Sequence, residues 1–81
     1  MMRVYVLHFE TQQALKGAFA RIMQSERVTS CSIDAGESEV RFAAPERWAD
    51  PLVERLYAEG GLIWCTRHAL VEKPFGLRRR G

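Results

Sequence analysis

Two histidines and two cysteines are the residues of this chain best suited to acid–base, metal or redox chemistry. Imidazole titrates near neutral pH and is a common metal ligand, which draws attention to His8 and His68. Cys31 and Cys65 lack the Cys-x-x-Cys spacing of zinc knuckles and thioredoxin-like sites. We therefore expect two separate free thiols, and we predict neither a metal site nor another cofactor.

The other polar residues form no recognisable catalytic motif. The sequence has no Gly-rich phosphate loop, no convincing Ser, His and Asp constellation, and no carboxylate pair at a familiar spacing. Glu54 and Glu59 flank Arg55 on a predicted exposed helix face, where solvated charge is the simpler interpretation. We expect no catalytic residues. A small-molecule enzyme of the dimeric α+β type, with His8 or His68 as acid or base, stays an alternative.

Length and composition indicate one small globular domain. The chain has 81 residues, of which 47% are hydrophobic and 27% charged. A domain of this size buries only about 60% of its surface on folding, so oligomerisation would be a natural source of stability. No apolar run approaches the roughly 18 residues needed to span a bilayer, and no signal peptide is recognisable. We expect no membrane contact and a cytoplasmic location.

Basic residues are concentrated at the C-terminus. Lys73 and the run Arg78, Arg79 and Arg80 lie in the last nine residues. The rest of the chain has 8 basic and 10 acidic residues. We predict a single domain over residues 1–72 and a basic, mobile tail over residues 73–81. Consecutive arginines can contact phosphates. Nucleic-acid binding through Arg78, Arg79 and Arg80, together with Tyr5 and Arg41 on the predicted sheet face, is therefore an alternative function.

Apolar periodicity and turn residues predict six elements. A strand over residues 2–9 precedes a helix that has Thr11 as N-cap and apolar residues at helical spacing from Ala14 to Met23. A hairpin follows, then a short helix with Asp50 as N-cap, and then a last strand. The predicted ranges are 28–33 and 39–44 for the hairpin, 51–59 for the helix and 62–71 for the strand.

This βαββαβ order predicts a ferredoxin-like α+β sandwich. Right-handed connections place two helices on one face of a four-stranded antiparallel sheet of strand order 4-1-3-2. The topology is similar to that of heavy-metal-associated domains and RNA-recognition motifs. The loop after the first strand, however, contains no cysteine, and residues 38–44 do not resemble the aromatic third-strand motif of RNA-recognition domains. We recognise no family in the residues themselves.

The first and fourth strands are apolar on both faces, although helices can cover only one. A strand with water on one side should alternate, so we expect another molecule to cover the helix-free face. If Val4 and Val6 pack under the helices, the predicted partner-binding residues on that face are Tyr5, Leu7, Phe9, Arg41, Trp64 and His68. The opposite orientation, with Tyr5, Leu7 and Phe9 in the core and the two valines outside, stays open.

These observations predict a small non-catalytic binding or regulatory module. We expect it to associate through the helix-free face, most simply as a two-fold homodimer or otherwise with a protein partner. Pairing of the fourth strands at the sheet edge is a second route.

Overall fold

The computed structural model of the chain describes residues 1–69, which form six elements in the predicted order. These are β1 (Met2–Phe9), α1 (Gln12–Met23), β2 (Ser30–Asp34), β3 (Glu39–Pro45), α2 (Glu46–Glu59) and β4 (Leu62–Ala69). The predicted basic tail and the last two residues of the predicted fourth strand lie outside the described residues.

The four strands form one antiparallel sheet of order β2-β3-β1-β4. Read from the other edge, this is the predicted order 4-1-3-2, so the chain has the predicted ferredoxin-like α+β fold. β1 lies in the centre between β3 and β4, whereas β2 and β4 are the two edge strands. This placement puts Cys31 and Cys65 on opposite edges, and both are free thiols.

The hydrophobic core lies between the sheet and the two helices, and β1 supplies its largest side chains. Tyr5, Leu7 and Phe9 are at most 2% exposed. They pack with residues from both helices and from the neighbouring strands. The principal partners are Leu15, Ala18, Ile22, Val40, Phe42, Ala44, Ala49, Leu56 and Leu62. The rings of Tyr5 and Phe42 stack within this layer, with centroids 5.2 Å apart.

The expectation that Tyr5, Leu7 and Phe9 project from the helix-free face is therefore wrong, and the opposite orientation is the observed one. Stabilisation grows by about 25 cal/mol per Å² of apolar surface removed from water. Two aromatic rings and a leucine bury more of that surface than the valines on the other side of β1. Within residues 1–69, helices α1 and α2 cover that side of β1 and supply residues that pack against the rings.

The first helix begins and the second ends at residues that the sequence identifies. Thr11 is the N-cap of α1, and its hydroxyl accepts a hydrogen bond of 3.1 Å from the backbone N–H of Ala14. Gly60, the C-cap of α2, has a φ of 91° and donates its N–H to the carbonyls of Leu56 and Tyr57. Thr11 thus follows the ordinary N-capping rule, and Gly60 supplies a positive φ that glycine adopts readily.

The second helix differs from the prediction because it begins before Pro51. It runs without interruption from Glu46, so the expected separate turn over residues 46–49 and the N-cap role of Asp50 are both wrong. A proline inside a helix removes one backbone hydrogen bond. Pro51 lies near the start of α2 and on its exposed side, where most of the helix remains to compensate for that loss. Asp50 is consequently free to point its carboxylate towards the sheet.

Three glycines allow a controlled test of local packing. A Cβ added at Gly17, inside α1, meets no atom within 4 Å, so Gly17→Ala should raise the free energy of unfolding by about 1 kcal/mol through better helix propensity. At Gly61, with φ at +96°, the added Cβ would lie 2.8 Å from the Ala14 Cβ. Gly61→Ala should therefore lower the free energy of unfolding by about 2 kcal/mol or more.

Gly60 is the matched control for backbone strain alone. Its φ is also positive, at +91°, but a Cβ added there would meet no atom within 4 Å. Urea denaturation of the three alanine variants should rank Gly17→Ala as most stable, Gly60→Ala as intermediate and Gly61→Ala as least stable. A Gly61→Ala protein as stable as Gly60→Ala would contradict the close approach of residue 61 to α1.

Candidate functional site

The open face of the sheet, meaning the side away from the two helices, is the surface on which the sequence predicts binding. Strand alternation and the pairing register determine which residues it carries. Its members are Met2, Val4, Val6 and His8 from β1, Ser30, Ser32 and Asp34 from β2, Glu39, Arg41 and Ala43 from β3, and Trp64, Thr66 and His68 from β4.

Apolar side chains occupy the middle of the open face. Val6 is 8% exposed and Ala43 is 3% exposed although no helix covers them, and Val4 is half-buried. The neighbouring side chains of the sheet therefore already shield much of this centre. Trp64, on the edge strand, is 39% exposed and is the largest apolar group that the open face offers to a partner.

His8 and Trp64 form a stacked pair on the open face. Their ring centroids are 5.2 Å apart and the rings are inclined by 8°. The Nδ1 atom of His8 is buried and, within residues 1–69, has no hydrogen-bond partner. The sequence predicts this neighbourhood, because antiparallel pairing of the first and last strands sets His8 beside Trp64 and His68 beside Val4. The two histidines thus lie at different ends of the strand pair, which rules out a joint two-histidine site.

Charged side chains lie on the β3 half of the open face. Arg41 is exposed and Glu39 is half-buried, two residues apart on the same strand. Neither forms an ion pair within the described part of the chain. Opposite charges are therefore available here to another molecule.

The predicted partner-binding residues divide into two groups. Arg41, Trp64 and His68 lie on the open face, as expected. The remaining three, Tyr5, Leu7 and Phe9, are core residues and cannot contact a partner while the protein is folded.

A second polar site, which sequence reasoning missed, lies on the helix side between α2 and β4. The hydroxyl of Tyr5 donates to Asp50 Oδ1 at 2.8 Å, and Arg67 Nη1 donates to Asp50 Oδ2 at 2.8 Å. Arg3 Nε donates to Glu46 Oε2 at 3.2 Å, and Arg67 Nη1 lies 3.9 Å from the same oxygen. The pairing of β1 with β4 could have predicted that Tyr5 and Arg67 are neighbours. Their common acceptor was missed because the sequence pattern assigns Asp50 as the N-cap of the second helix.

This cluster fixes the protonation states of its members. The hydrogen bond from Tyr5, followed by the bond and charge of Arg67, lowers the pKa of Asp50 despite the opposing effect of burial. Burial, together with the bond to the Asp50 carboxylate, raises the pKa of Tyr5 well above its ordinary value. Asp50 also raises the pKa of Arg67. Near neutral pH the cluster is thus a fixed arrangement of a neutral phenol, a carboxylate and a guanidinium, which suits positioning rather than proton transfer.

A groove of about 370 Å³ adjoins the cluster. Its lining consists of Tyr5, Asp50, Val53, Glu54, Tyr57, Cys65 and Arg67, and it includes neither histidine. Burial raises the pKa of the Cys65 thiol, and a thiol with a raised pKa is a poor nucleophile at neutral pH. The groove therefore offers apolar and charged contacts but no activated catalytic group.

Several other features can be stated for residues 1–69. No group of three or more His, Cys, Asp or Glu side chains in this region could hold a metal ion. Neither described helix is both long and apolar enough to cross a bilayer. The arginines proposed for nucleic-acid contact, Arg78, Arg79 and Arg80, lie outside the described residues.

Comparison with known proteins adds no family to this picture. The sequence matches no protein-family model, and it matches none of the curated protein sequences. The fold and the geometry of the two surfaces are therefore the basis of a functional argument.

The Tyr5–Asp50 hydrogen bond should make stability depend on pH in acid. Because the folded-state pKa of Asp50 is lowered, its carboxylate contributes stability above its unfolded pKa, and this contribution is lost as pH falls through the folded value. In Tyr5→Phe the contribution should shrink, so stability should fall less on acidification. Removing the bond should also cost about 1 kcal/mol near neutral pH.

Urea denaturation at neutral pH and in acid measures both effects, and Asp50→Asn is the control that removes the titrating group. A Tyr5→Phe protein that loses as much stability as the wild type on acidification would show that the phenol does not stabilise the carboxylate.

Proposed function

We propose that this chain is a small non-catalytic binding or regulatory module whose open face associates with a second copy of the chain. The observation that carries the proposal is the pattern of that face: an apolar centre of Val4 and Val6, an exposed Trp64 on one side, and opposite charges at Arg41 and Glu39 on the other that pair with nothing within residues 1–69. In that part of the chain, a helix layer covers only the opposite side of β1.

Self-complementary charge favours a second copy over an unrelated protein. Arg41 pairs across the sheet with Val6, and Glu39 pairs with His8, so the two charges occupy successive levels of the open face. Consider a two-fold axis that lies between the two facing sheets, perpendicular to the strands and midway between these two levels. This axis places Arg41 of each copy over Glu39 of the other. The same axis sets Val6 against His8 and Thr66 against Trp64, because these residues share the two levels.

The expected dimer is weak and concentration-dependent. Four strands spaced about 4.8 Å apart and about six residues long give a face of roughly 400 Å², below the roughly 800 Å² per partner of a standard stable interface. Such an interface suits reversible association. The small core of a domain of this length would gain stability from it.

Two observations bear on the location and on a catalytic role. Cys31 and Cys65 are free thiols, which is in keeping with a reducing, cytoplasmic setting. Neither His8 nor His68 lines the groove beside Cys65. We therefore consider a small-molecule enzyme of the dimeric α+β type to be less well supported than a binding module.

Nucleic-acid binding is the second candidate function. The exposed Trp64 and Arg41 on the open face favour it, since aromatic rings stack on bases and arginine contacts phosphate. Against it, β1 presents Val4 and Val6 on this face, where an RNA-binding sheet needs stacking aromatics on its central strands.

A charge-swap experiment tests the dimer. Arg41→Glu and Glu39→Arg should each weaken self-association roughly tenfold in sedimentation over a concentration series up to about 100 µM, because each sets like charges against one another. An equimolar mixture of the two variants should recover the wild-type mass, since every pair is again of opposite sign. Lys16→Glu is the matched control: it makes the same change of charge on an exposed position of α1 and should leave association unchanged.

The same proteins separate the two candidate functions. A wild-type chain that is still monomeric at about 100 µM, which corresponds to a binding free energy weaker than about −5.5 kcal/mol, or a mixture that does not recover the mass, would refute the proposed dimer. Salt-dependent binding of single-stranded RNA by the wild type, lost in Arg41→Glu, would instead support the nucleic-acid function.

A further inference from the structure

The outer edge of β4 is a second surface suited to association. β4 pairs with β1 on one side only, and within residues 1–69 no strand covers its other side. An edge strand presents a row of backbone N–H and C=O groups that can pair with another strand. β4 has eight residues, whereas the opposite edge strand, β2, has five. The longer edge offers more pairing.

Edge strands usually carry features that prevent pairing, and β4 has few of them. Lysine, proline and short length are the common devices, but Leu62–Ala69 contains neither lysine nor proline. Its one permanent charge, Arg67, is held by Asp50. The irregularity in its pairing with β1 lies near Ile63, at the start of the strand, so the edge from Trp64 to Ala69 is regular.

Exposed apolar side chains gather along this edge. Ile63 is 50% exposed, Trp64 is 39% exposed, and Tyr57 of α2, which lines the groove with Cys65, is 46% exposed. Large exposed apolar groups grouped in this way generally mark an interaction surface.

We propose that β4 pairs antiparallel with β4 of a second copy, about a two-fold axis that is normal to the sheet and passes midway between the two Thr66 residues. The two sheets then form one continuous sheet. Thr66 lies opposite Thr66 of the second copy, and Trp64 lies opposite His68 of the second copy on the open face. Cross-strand aromatic pairs and threonine pairs are among the favourable ones in sheets, and Trp64 already stacks on His8.

Charge disfavours the adjacent register centred on Arg67. An axis through Arg67 would set two guanidinium groups directly opposite each other, which is unfavourable. With the axis at Thr66, Arg67 of the second copy lies opposite Cys65. Glu54 lines the groove with Cys65 and forms no ion pair within the described chain, so the incoming arginine meets an available carboxylate.

Trp64, Thr66 and His68 also belong to the open face, but edge pairing uses the outer backbone of β4, so each interface can form without the other. Chains that use both surfaces form assemblies larger than a dimer. The Arg41→Glu variant weakens the face contact of the proposed function, so a dimer that persists in this background and is lost on a further change at the outer edge of β4 reports on the edge.

Site-specific cross-linking tests the register. In an Arg41→Glu, Cys31→Ser, Cys65→Ser background, Thr66→Cys places two thiols opposite each other at the distance that a disulfide requires. Diamide oxidises the pair: two thiols lose two protons and two electrons, and diamide becomes its hydrazine. We expect a covalent dimer to form at least roughly tenfold faster than with Ser32→Cys, the matched control on the exposed face of β2.

Non-covalent variants provide an independent readout. In the Arg41→Glu background, Thr66→Lys should abolish the dimer by setting two ammonium groups opposite each other, whereas Thr66→Val should retain it. Equal cross-linking rates for Thr66→Cys and Ser32→Cys, or a sedimentation mass unaffected by Thr66→Lys, would overturn the edge pairing. Loss of all association in Arg41→Glu would overturn it too, while leaving the proposed face dimer standing.

Discussion

The central strand β1 is apolar on both sides, and the side that it turns towards the helices decides most of the other contacts. Tyr5, Leu7 and Phe9 face the helices, which commits the rings of Tyr5 and Phe42 to the core. It also brings the Tyr5 hydroxyl to the edge of that core, where it needs an acceptor because a buried phenol without one is costly. Asp50 supplies the acceptor at 2.8 Å, and its other oxygen holds Arg67.

The same choice determines what the protein can offer to a partner. With the large side chains inside, the centre of the open face is built from valines and alanine that their neighbours largely shield. The exposed aromatic surface moves to the β4 side, where Trp64 and Tyr57 lie. The sequence predicts a single broad aromatic patch. The structure instead has a charged, weakly apolar open face and a more apolar edge at β4, and association is inferred from these two surfaces.

Much of the architecture is predictable because local signals agree with one another. Thr11 precedes a regular apolar stripe, turn residues separate the two hairpin strands, and the alternation of strands and helices permits few topologies. The order of the elements is enough to set His8 beside Trp64 and His68 beside Val4. The start of α2 escapes prediction because Pro51 suits the first turn of a helix, whereas this helix tolerates it further in.

By itself the sequence determined the fold, the central place of β1 and the position of the two cysteines on opposite edges. Only the tertiary structure decided which side of β1 is buried. A period-two pattern identifies the buried side of a strand only when the two sides differ in polarity. Both sides of β1 are apolar, so the volume of the side chains that pack under the helices determines which side is buried. The Tyr5–Asp50–Arg67 cluster depended on that choice as well, because Asp50 lies 45 residues from Tyr5 and 17 from Arg67 in the chain. The three side chains meet only once β1, α2 and β4 are in place.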